Sequence, residues 1–451
     1  MLSMSHSPSS VFQMPPESLT GLSRDLLRLE NEGKEVLIGL IGAGEMGTDL
    51  IMQVARMRGL RIGAVAVRNA ENALKAVQIA YGDRDNAVVC ENDAAITRAI
   101  EMGKIAICTD AALVANNELI AQVVEATGKP SVGADIGLQA LEAGKHLIMM
   151  NVEADVTVGA YLKRRAQELG LIYTVGAGDE PSSIMELIDF ANALGLPIVS
   201  AGKGKNNPLN VDAVPDDYEK EAIERNMNPR MLVEFVDGSK TMVEMAALAN
   251  ATGMVPDKPG MHGPQATLDT LEDILIPAAD GGILSDVGRV DYTIGKGVAP
   301  GVFVVVKAPH ERIHERMADL KVGRGPYFTL YRPFHLTSLE VPLSCARVAL
   351  YGQVDMQPLD VPVAEVCALA KKDMAAGEKF DAIGQYCYRS WTMTAADARA
   401  AKAVPCGLIE GGVATASIKK GELITYANCQ PDAAQAIVGL RAKQDALLGL
   451  A

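Results

Sequence analysis

The sequence predicts an α/β protein of more than one domain, and three observations carry that expectation. The chain has 451 residues, more than one ordinary hydrophobic core accommodates. A short apolar run, VLIGLI at 36–41, leads through GAGEMG into the helical stretch TDLIMQVARMRG and then into RIGAVAV. Further strand-like runs follow at KIAICTDA (104–111), KPSVGAD (129–135) and HLIMMN (146–151), separated by helical stretches, as a parallel sheet with crossover helices requires. Residues 1–30 read as a polar amino-terminal arm, 31–155 as the parallel-sheet domain, 156–345 as an α+β domain, and 346–451 as a small β-rich domain.

Bulk properties exclude several classes. Apolar residues make up 49% and charged residues 22%, a folded globular composition. The formal charge of −14 argues against a nucleic-acid partner. No apolar run reaches the roughly 18 residues of a membrane span. The opening MLSMSHSPSSVFQMPPESLT lacks early Lys or Arg and an apolar core, so no secretory leader is expected. Seven dispersed cysteines without a C-x-x-C pair read as reduced thiols, and a cytoplasmic location is expected.

GAGEMG places Gly42, Gly44 and Gly47 in the G-x-G-x-x-G spacing, between a strand and a helix. That context is the Rossmann fingerprint: glycines let the backbone approach a pyrophosphate, which sits at the helix amino terminus with Glu45 and Met46. The second strand ends in Arg68 and Asn69 where NAD sites usually offer an acid, so NADPH is the expected cofactor. Arg68 as a solvated surface charge is the competing reading. Thr109 and Asp110 end a later strand on the same side. Asn151 and Glu153 leave the strand HLIMMN, placed to touch cofactor or substrate.

In the second domain the fingerprint does not recur, and acids and lysines take its place. Asp179 and Glu180 open a helix after GAG, where capping is the plain explanation and ligand contact the alternative. LPIVSAGKGKNNPLN reads as a strand emptying into a glycine-rich loop carrying Lys203 and Lys205, for anion or substrate contact or as a solvated loop. MLVEFVDGSKTMVEMAALANATG (231–253) reads as a strand ending at Asp237, a glycine turn, and a helix with Lys240 at its start. A lysine there opposes the helix dipole, which points to a task such as oxyanion stabilisation or proton relay. Asp237 can orient it or hold a metal. RGPYFTLYRPFHLTSLEVP adds Arg332, His335, Thr337 and Ser338 as secondary contacts.

GAGEMG, VVEATG, GAGDEP, FVDGSKTMVEMAALANATG and PYFTLYRPFHLTS together resemble homoserine-dehydrogenase-like oxidoreductases with a carboxy-terminal SAF-type domain. Within that group the chain is similar to the second type of 1-deoxy-D-xylulose 5-phosphate reductoisomerase, over roughly residues 30 to 440. The resemblance implies reduction by NADPH coupled to rearrangement of a small phosphorylated sugar, giving 2-C-methyl-D-erythritol 4-phosphate. It implies Mg²⁺ or Mn²⁺ held by Asp179, Glu180 and Asp237. Lys240, Asp237, Lys205 and Glu180 are then the catalytic set. Lys203, Lys205, Asn151, Glu153, Arg332 and His335 are the substrate contacts. GKHLIMMNVEAD lacks the lysine that follows this segment in homoserine dehydrogenases. An NADP-dependent dehydrogenase of a small polyol, sugar acid or semialdehyde is the alternative. A dimer formed by pairing the substrate-domain sheet with a copy is also expected. HERIH at 310–314 matches the zinc signature H-E-x-x-H, but reads as a surface helix between two strands.

Overall fold

The computed structural model describes residues 14–205, 208–225 and 227–450. Its first layer is a seven-stranded parallel sheet: β1 (Val36–Ile41), β2 (Leu60–Ala66), β3 (Ala87–Val89), β4 (Ile105–Cys108), β5 (Gln122–Glu125), β6 (His146–Met149) and β7 (Tyr173–Val175), in the order β3-β4-β2-β1-β5-β6-β7. Buried aliphatic residues dominate β1, β2 and β4, as a sheet covered on both faces demands. The order reverses beside β1, so a crevice opens beyond the carboxyl ends of β1 and β5. The sheet extends past residue 155, because β7 completes it. The expected boundary falls inside the helix Val152–Glu168.

The second sheet contains β8 (Ile198–Lys205), β9 (Val255–Pro256), β10 (Arg289–Ile294), β11 (Val302–Lys307) and β12 (Tyr327–Arg332), ordered β12-β11-β8-β10-β9. Along β11, Val302, Val304 and Val306 join the main core, while Phe303 and Val305 face Leu271, Leu275 and Leu284. Both faces are therefore covered by this chain. Segment 266–284 covers the Phe303 and Val305 face.

Helix Ser239–Thr252 is buried on nearly every side, which explains its methionines and alanines: no face needs to be polar. It packs between the second sheet and an antiparallel pair, β13 (Ala364–Ala370) and β14 (Tyr388–Thr394). One apolar core runs from helix Pro130–Glu142 through this helix to β13, β14 and the last helix, Ala436–Leu447. Residues beyond 346 thus share a core with the second sheet and its helices.

Four local expectations are corrected. KPSVGAD is not a strand: Pro130 takes the first position of helix Pro130–Glu142. MLVEFV is also helical, within Pro229–Val236, where Asn228 accepts the Arg230 N–H at 2.9 Å and Leu232, Val233 and Val236 form one buried face. GKGK belongs to β8, not to a loop. Its glycines serve close packing, since a Cβ at Gly202 would strike the Asp291 carbonyl and one at Gly204 the Ala299 backbone. The amino-terminal arm contains helix Gly21–Asn31, whose Leu26 and Leu27 are buried and whose Asp25 accepts the Tyr351 hydroxyl at 2.6 Å. Residues 1–13 of that arm lie outside the described residues.

HERIH is an exposed helix start. His310 caps it by accepting the Arg312 N–H at 3.0 Å, and His314 Nε2 donates to the Arg324 carbonyl at 3.0 Å. Among the described residues neither histidine belongs to a cluster of possible metal ligands.

Tyr173 on β7 donates its hydroxyl to Asp155 Oδ1 at 2.6 Å, and burial pushes this carboxyl up to about 6. A carboxyl raised above its unfolded value contributes stability below the unfolded pKa and loses it as pH rises through the folded one. Tyr173→Phe removes the hydroxyl donor and is expected to cost about 1–3 kcal/mol, read from urea midpoints. The loss should be larger at mildly alkaline pH, where the ionised carboxylate is left without its partner. An unchanged midpoint there would contradict the assignment.

Candidate functional site

Two cavities meet at the start of helix Glu45–Val54. The first, about 620 Å³, is lined by Gly42, Gly44, Arg68, Asn69, Thr109, Ala126 and Thr127 among others. Its glycines divide the work. Gly42 has φ +105, and a Cβ there would lie 2.6 Å from the Ala126 carbonyl oxygen. A Cβ at Gly47 would strike the Gly42 carbonyl, so Gly47 serves helix–strand packing. At Gly44 a Cβ meets nothing within 4 Å, so this residue looks onto the open cavity. The arrangement is the one in which a pyrophosphate rests on helix N–H groups.

Arg68 is exposed and forms no ion pair among the described residues, leaving its guanidinium available to the cavity. Asn69 and Asp110 each cap a helix, accepting the Glu71 N–H at 3.0 Å and the Ala112 N–H at 2.9 Å. Asp110 does not line the cavity.

The second cavity, about 330 Å³, takes Met46 and Met150 from the nucleotide side. Its polar wall includes Asp179, Glu180, Lys203, Lys205, Arg225, Lys240, Glu244 and His335, with the hydroxyls of Thr241, Thr337 and Ser338. Strand alternation puts Ala201, Lys203 and Lys205 on one face of β8, toward helices Glu180–Ala193 and Ser239–Thr252. Lys203 Nζ donates to both Glu180 and Glu244. Burial opposes the Lys203 charge, but the two glutamates override it and raise the ammonium's pKa. For Glu180, burial works upward, yet Lys203 and then His335 pull the carboxyl well down. Burial, followed by the Glu180 charge, pushes Glu244 well up despite both lysines.

Lys240 differs from Lys203 in one respect. Its Nζ lies 3.8 Å from Glu153, 3.7 Å from Asp179 and 3.8 Å from Glu244, beyond hydrogen-bond distance of all three. The acids hold its charge, overcoming burial to raise its pKa, while its N–H groups donate to no acceptor among the described residues. Burial, relieved in part by Lys240, pushes Asp179 up to about 6. Burial, with Lys203 adding to it, pushes Lys205 down to about 8; its Nζ donates to the Phe235 carbonyl. His335 Nδ1 donates to the Gly178 carbonyl at 3.0 Å, and its Nε2 lies 3.5 Å from Glu180.

Among the sequence candidates, Glu45 and Glu153 line neither cavity, and three more are engaged elsewhere. Asp237 caps the start of helix Ser239–Thr252 and pairs with Lys371 at 2.9 Å, away from the cavity lining and from the other proposed metal ligands. Arg332 is engaged by Glu186 at 2.7 Å and Glu340 at 2.6 Å. Asn151 caps helix Val152–Glu168 by accepting the Ala154 N–H at 3.1 Å. Conversely, Glu244 and Arg225 reach the cavity without having been singled out. Glu244 had a signal, an acid four residues after Lys240 in an otherwise apolar helix. Arg225, at the end of helix Pro215–Glu224, had none.

Residues 42–175 match the NAD-binding domain of homoserine dehydrogenase, and residues 178–341 match the catalytic domain of oxidoreductase DRL. No curated protein matches the chain. Among solved structures it is similar to a putative myo-inositol dehydrogenase from Sinorhizobium meliloti, at 16% identity and TM-score 0.35 over 70% of this chain and 90% of that one. It is similar to scyllo-inositol dehydrogenase from Lactobacillus casei with bound NAD(H) and scyllo-inositol, at 12% and 0.39 over 71% and 91%. It is also similar to a DOX-P reductoisomerase with fosmidomycin and magnesium, at 18% and 0.33 over 47% and 56%. The glycine geometry gives the nucleotide domain a measurable consequence. Gly47→Ala is expected to cost about 1–3 kcal/mol by overpacking. Gly44→Ala should leave thermal stability near wild type and weaken NADPH binding in fluorescence titration; the reverse pattern would contradict the division. The matched domains and the cavities they enclose make this chain an NAD(P)-dependent oxidoreductase.

Proposed function

We propose that the protein is an NADP-dependent dehydrogenase of a small hydroxy or carbonyl compound bearing an anionic tail. The observation that carries this reading is Lys240: an ammonium held by carboxylates, with free donors, where the nucleotide cleft opens into the second cavity. A bound nicotinamide supplies or accepts the hydride. Lys240 then donates a hydrogen bond to the reacting oxygen and stabilises its alkoxide charge, a role suited to a cation whose pKa is raised. Asp179, poised at about 6, exchanges the proton of that oxygen with solvent. Lys203 locks Glu180 and Glu244 in place. Lys205 and Arg225, both on the cavity wall, receive the anionic tail.

Arg68 supports NADP over NAD, because a guanidinium suits the 2′-phosphate. Arg68→Ala is expected to raise KM for NADPH roughly 10- to 100-fold, the worth of a charged hydrogen bond, and to leave KM for NADH nearly unchanged. Equal effects on both cofactors would remove Arg68 from this role.

A rearranging reduction of 1-deoxy-D-xylulose 5-phosphate is a second reading, which rests on the sequence resemblance. The resemblance brings with it a divalent metal. Asp179, Glu180 and His335 offer three ligand atoms within 4.8 Å of one another. Lys203 already neutralises Glu180, however, and Lys240 stands 3.7 Å from Asp179, so the set as built suits two ammonium groups better than a resident ion.

Both readings are tested by NADPH consumption over a panel of small carbonyl compounds with phosphate or carboxylate tails. The panel includes 1-deoxy-D-xylulose 5-phosphate, with and without Mg²⁺ or Mn²⁺. On the active compound, Lys240→Met is expected to lower kcat about 10²- to 10³-fold. KM for that compound should rise as pH passes about 8, where Lys205 loses its proton. Turnover unaffected by Lys240→Met would end the proposal, and metal-dependent turnover of the ketose phosphate alone would transfer it to the second reading.

A further inference from the structure

We propose that Lys371, supplied by the carboxy-terminal hairpin, is a positioning residue that sets Lys240 in the cavity. Lys371 follows directly on β13, and both it and Asp237 are almost wholly excluded from water, with side chains 2% and 0% exposed. Its Nζ lies 2.9 Å from Asp237 Oδ2 and donates to the Ala213 carbonyl at 2.7 Å. The other Asp237 oxygen, Oδ1, accepts the Ser239 N–H at 2.8 Å. Between them stands Gly238 at φ +87, in the left-handed conformation that turns the chain from helix Pro229–Val236 into helix Ser239–Thr252. A single carboxylate therefore fixes the start of the helix with one oxygen and is itself fixed from the hairpin through the other.

The hairpin braces that helix start at two more points. Ser239 Oγ accepts the Ser390 N–H at 2.9 Å, and Thr392 Oγ1 donates to the Met242 carbonyl at 2.6 Å. Lys240 is the residue immediately after Ser239. Its ammonium makes no hydrogen bond to the acids around it, only ion pairs at 3.7–3.8 Å, which attract its charge without fixing the backbone that carries it. The position comes from behind, through the backbone at 237–239. Neutralising the buried Asp237 needs a cation somewhere nearby, but charge balance alone does not require that cation to bind Ala213 as well. The triple attachment ties together the hairpin, the helix start and the segment leading into helix Pro215–Glu224, which ends at Arg225. The role of Lys240 in turnover rests on the function proposed above; its placement does not.

The test uses the full chain and needs no substrate. Acetylation of Lys240 by acetic anhydride is followed by mass spectrometry, with exposed Lys75 as internal reference. Asp237→Leu/Lys371→Met removes both charges together, leaving neither one buried alone. It is expected to keep the wild-type circular dichroism and NADPH affinity while Lys240 leaves its ring of acids and labels about tenfold faster, the effect of a one-unit pKa change. Lys371→Gln, which keeps a donor for Asp237, should fold where the double variant does not and label at an intermediate rate. Lys371→Arg should restore slow labelling. On any compound turned over, kcat should fall in the double variant with KM for NADPH unchanged. Folded variants that label Lys240 at the wild-type rate relative to Lys75 would overturn the proposal, whatever the fate of the dehydrogenase reading.

Discussion

Two ammonium groups withdrawn from water and held among four carboxylates are the constraint on which the rest of this structure depends. An ion taken from water costs several kcal/mol unless partners replace its hydration, and truncating one partner leaves the other stranded. Lys203 comes from β8, Lys240 and Glu244 from helix Ser239–Thr252, Asp179 and Glu180 from the turn after β7, and Glu153 from helix Val152–Glu168. Four separate elements must agree in register for the charges to meet. The glycines of β8 follow from the same demand. Neighbouring backbone closes on Gly202 and Gly204, so the strand can stay central in its sheet while Lys203 and Lys205 point at the helices.

The division between the two lysines gives the cavity its chemical direction. Lys203 spends its donors on Glu180 and Glu244 and is structural in effect. Lys240 has its charge stabilised without its donors being used, the condition for an electrophilic group awaiting an oxygen. Because Met46 reaches this cavity from the helix that opens at Gly44, the two cavities are neighbours across about one helical turn. The carboxy-terminal hairpin then belongs to the same layer as the second cavity: it shares the main core and supports the helix that carries Lys240.

Much of the nucleotide domain was legible in the sequence because its signals are local. VLIGLI, GAGEMG and the following helix specify strand, tight turn and helix in one continuous stretch from Val36 to Val54, and the geometry at Gly42 and Gly47 is backbone contact that only glycine permits. The second domain was less legible because its decisive contacts are distant in sequence. MLVEFV is apolar enough for a strand, and only its Asn-Pro start marks it as helical. GKGK read as a loop because glycine usually marks one, whereas here it marks the close approach of Asp291 and Ala299 within a strand. Asp237 was paired by proximity with Lys240, three residues on, yet its partner is Lys371, 134 positions away. Glu244 could have been found from its spacing, but not Arg225, which reaches the cavity only through the tertiary fold.

The central claim is that hydride transfer occurs beside Lys240, at the junction of the two cavities. A crystal structure of the NADPH complex tests it most directly. The account predicts pyrophosphate over Gly44, the 2′-phosphate at Arg68, and the nicotinamide between Met46 and Met150 with its reactive carbon facing the Lys240 ammonium. A nicotinamide ordered elsewhere, with Lys240 still enclosed by its acids and out of reach, would contradict it.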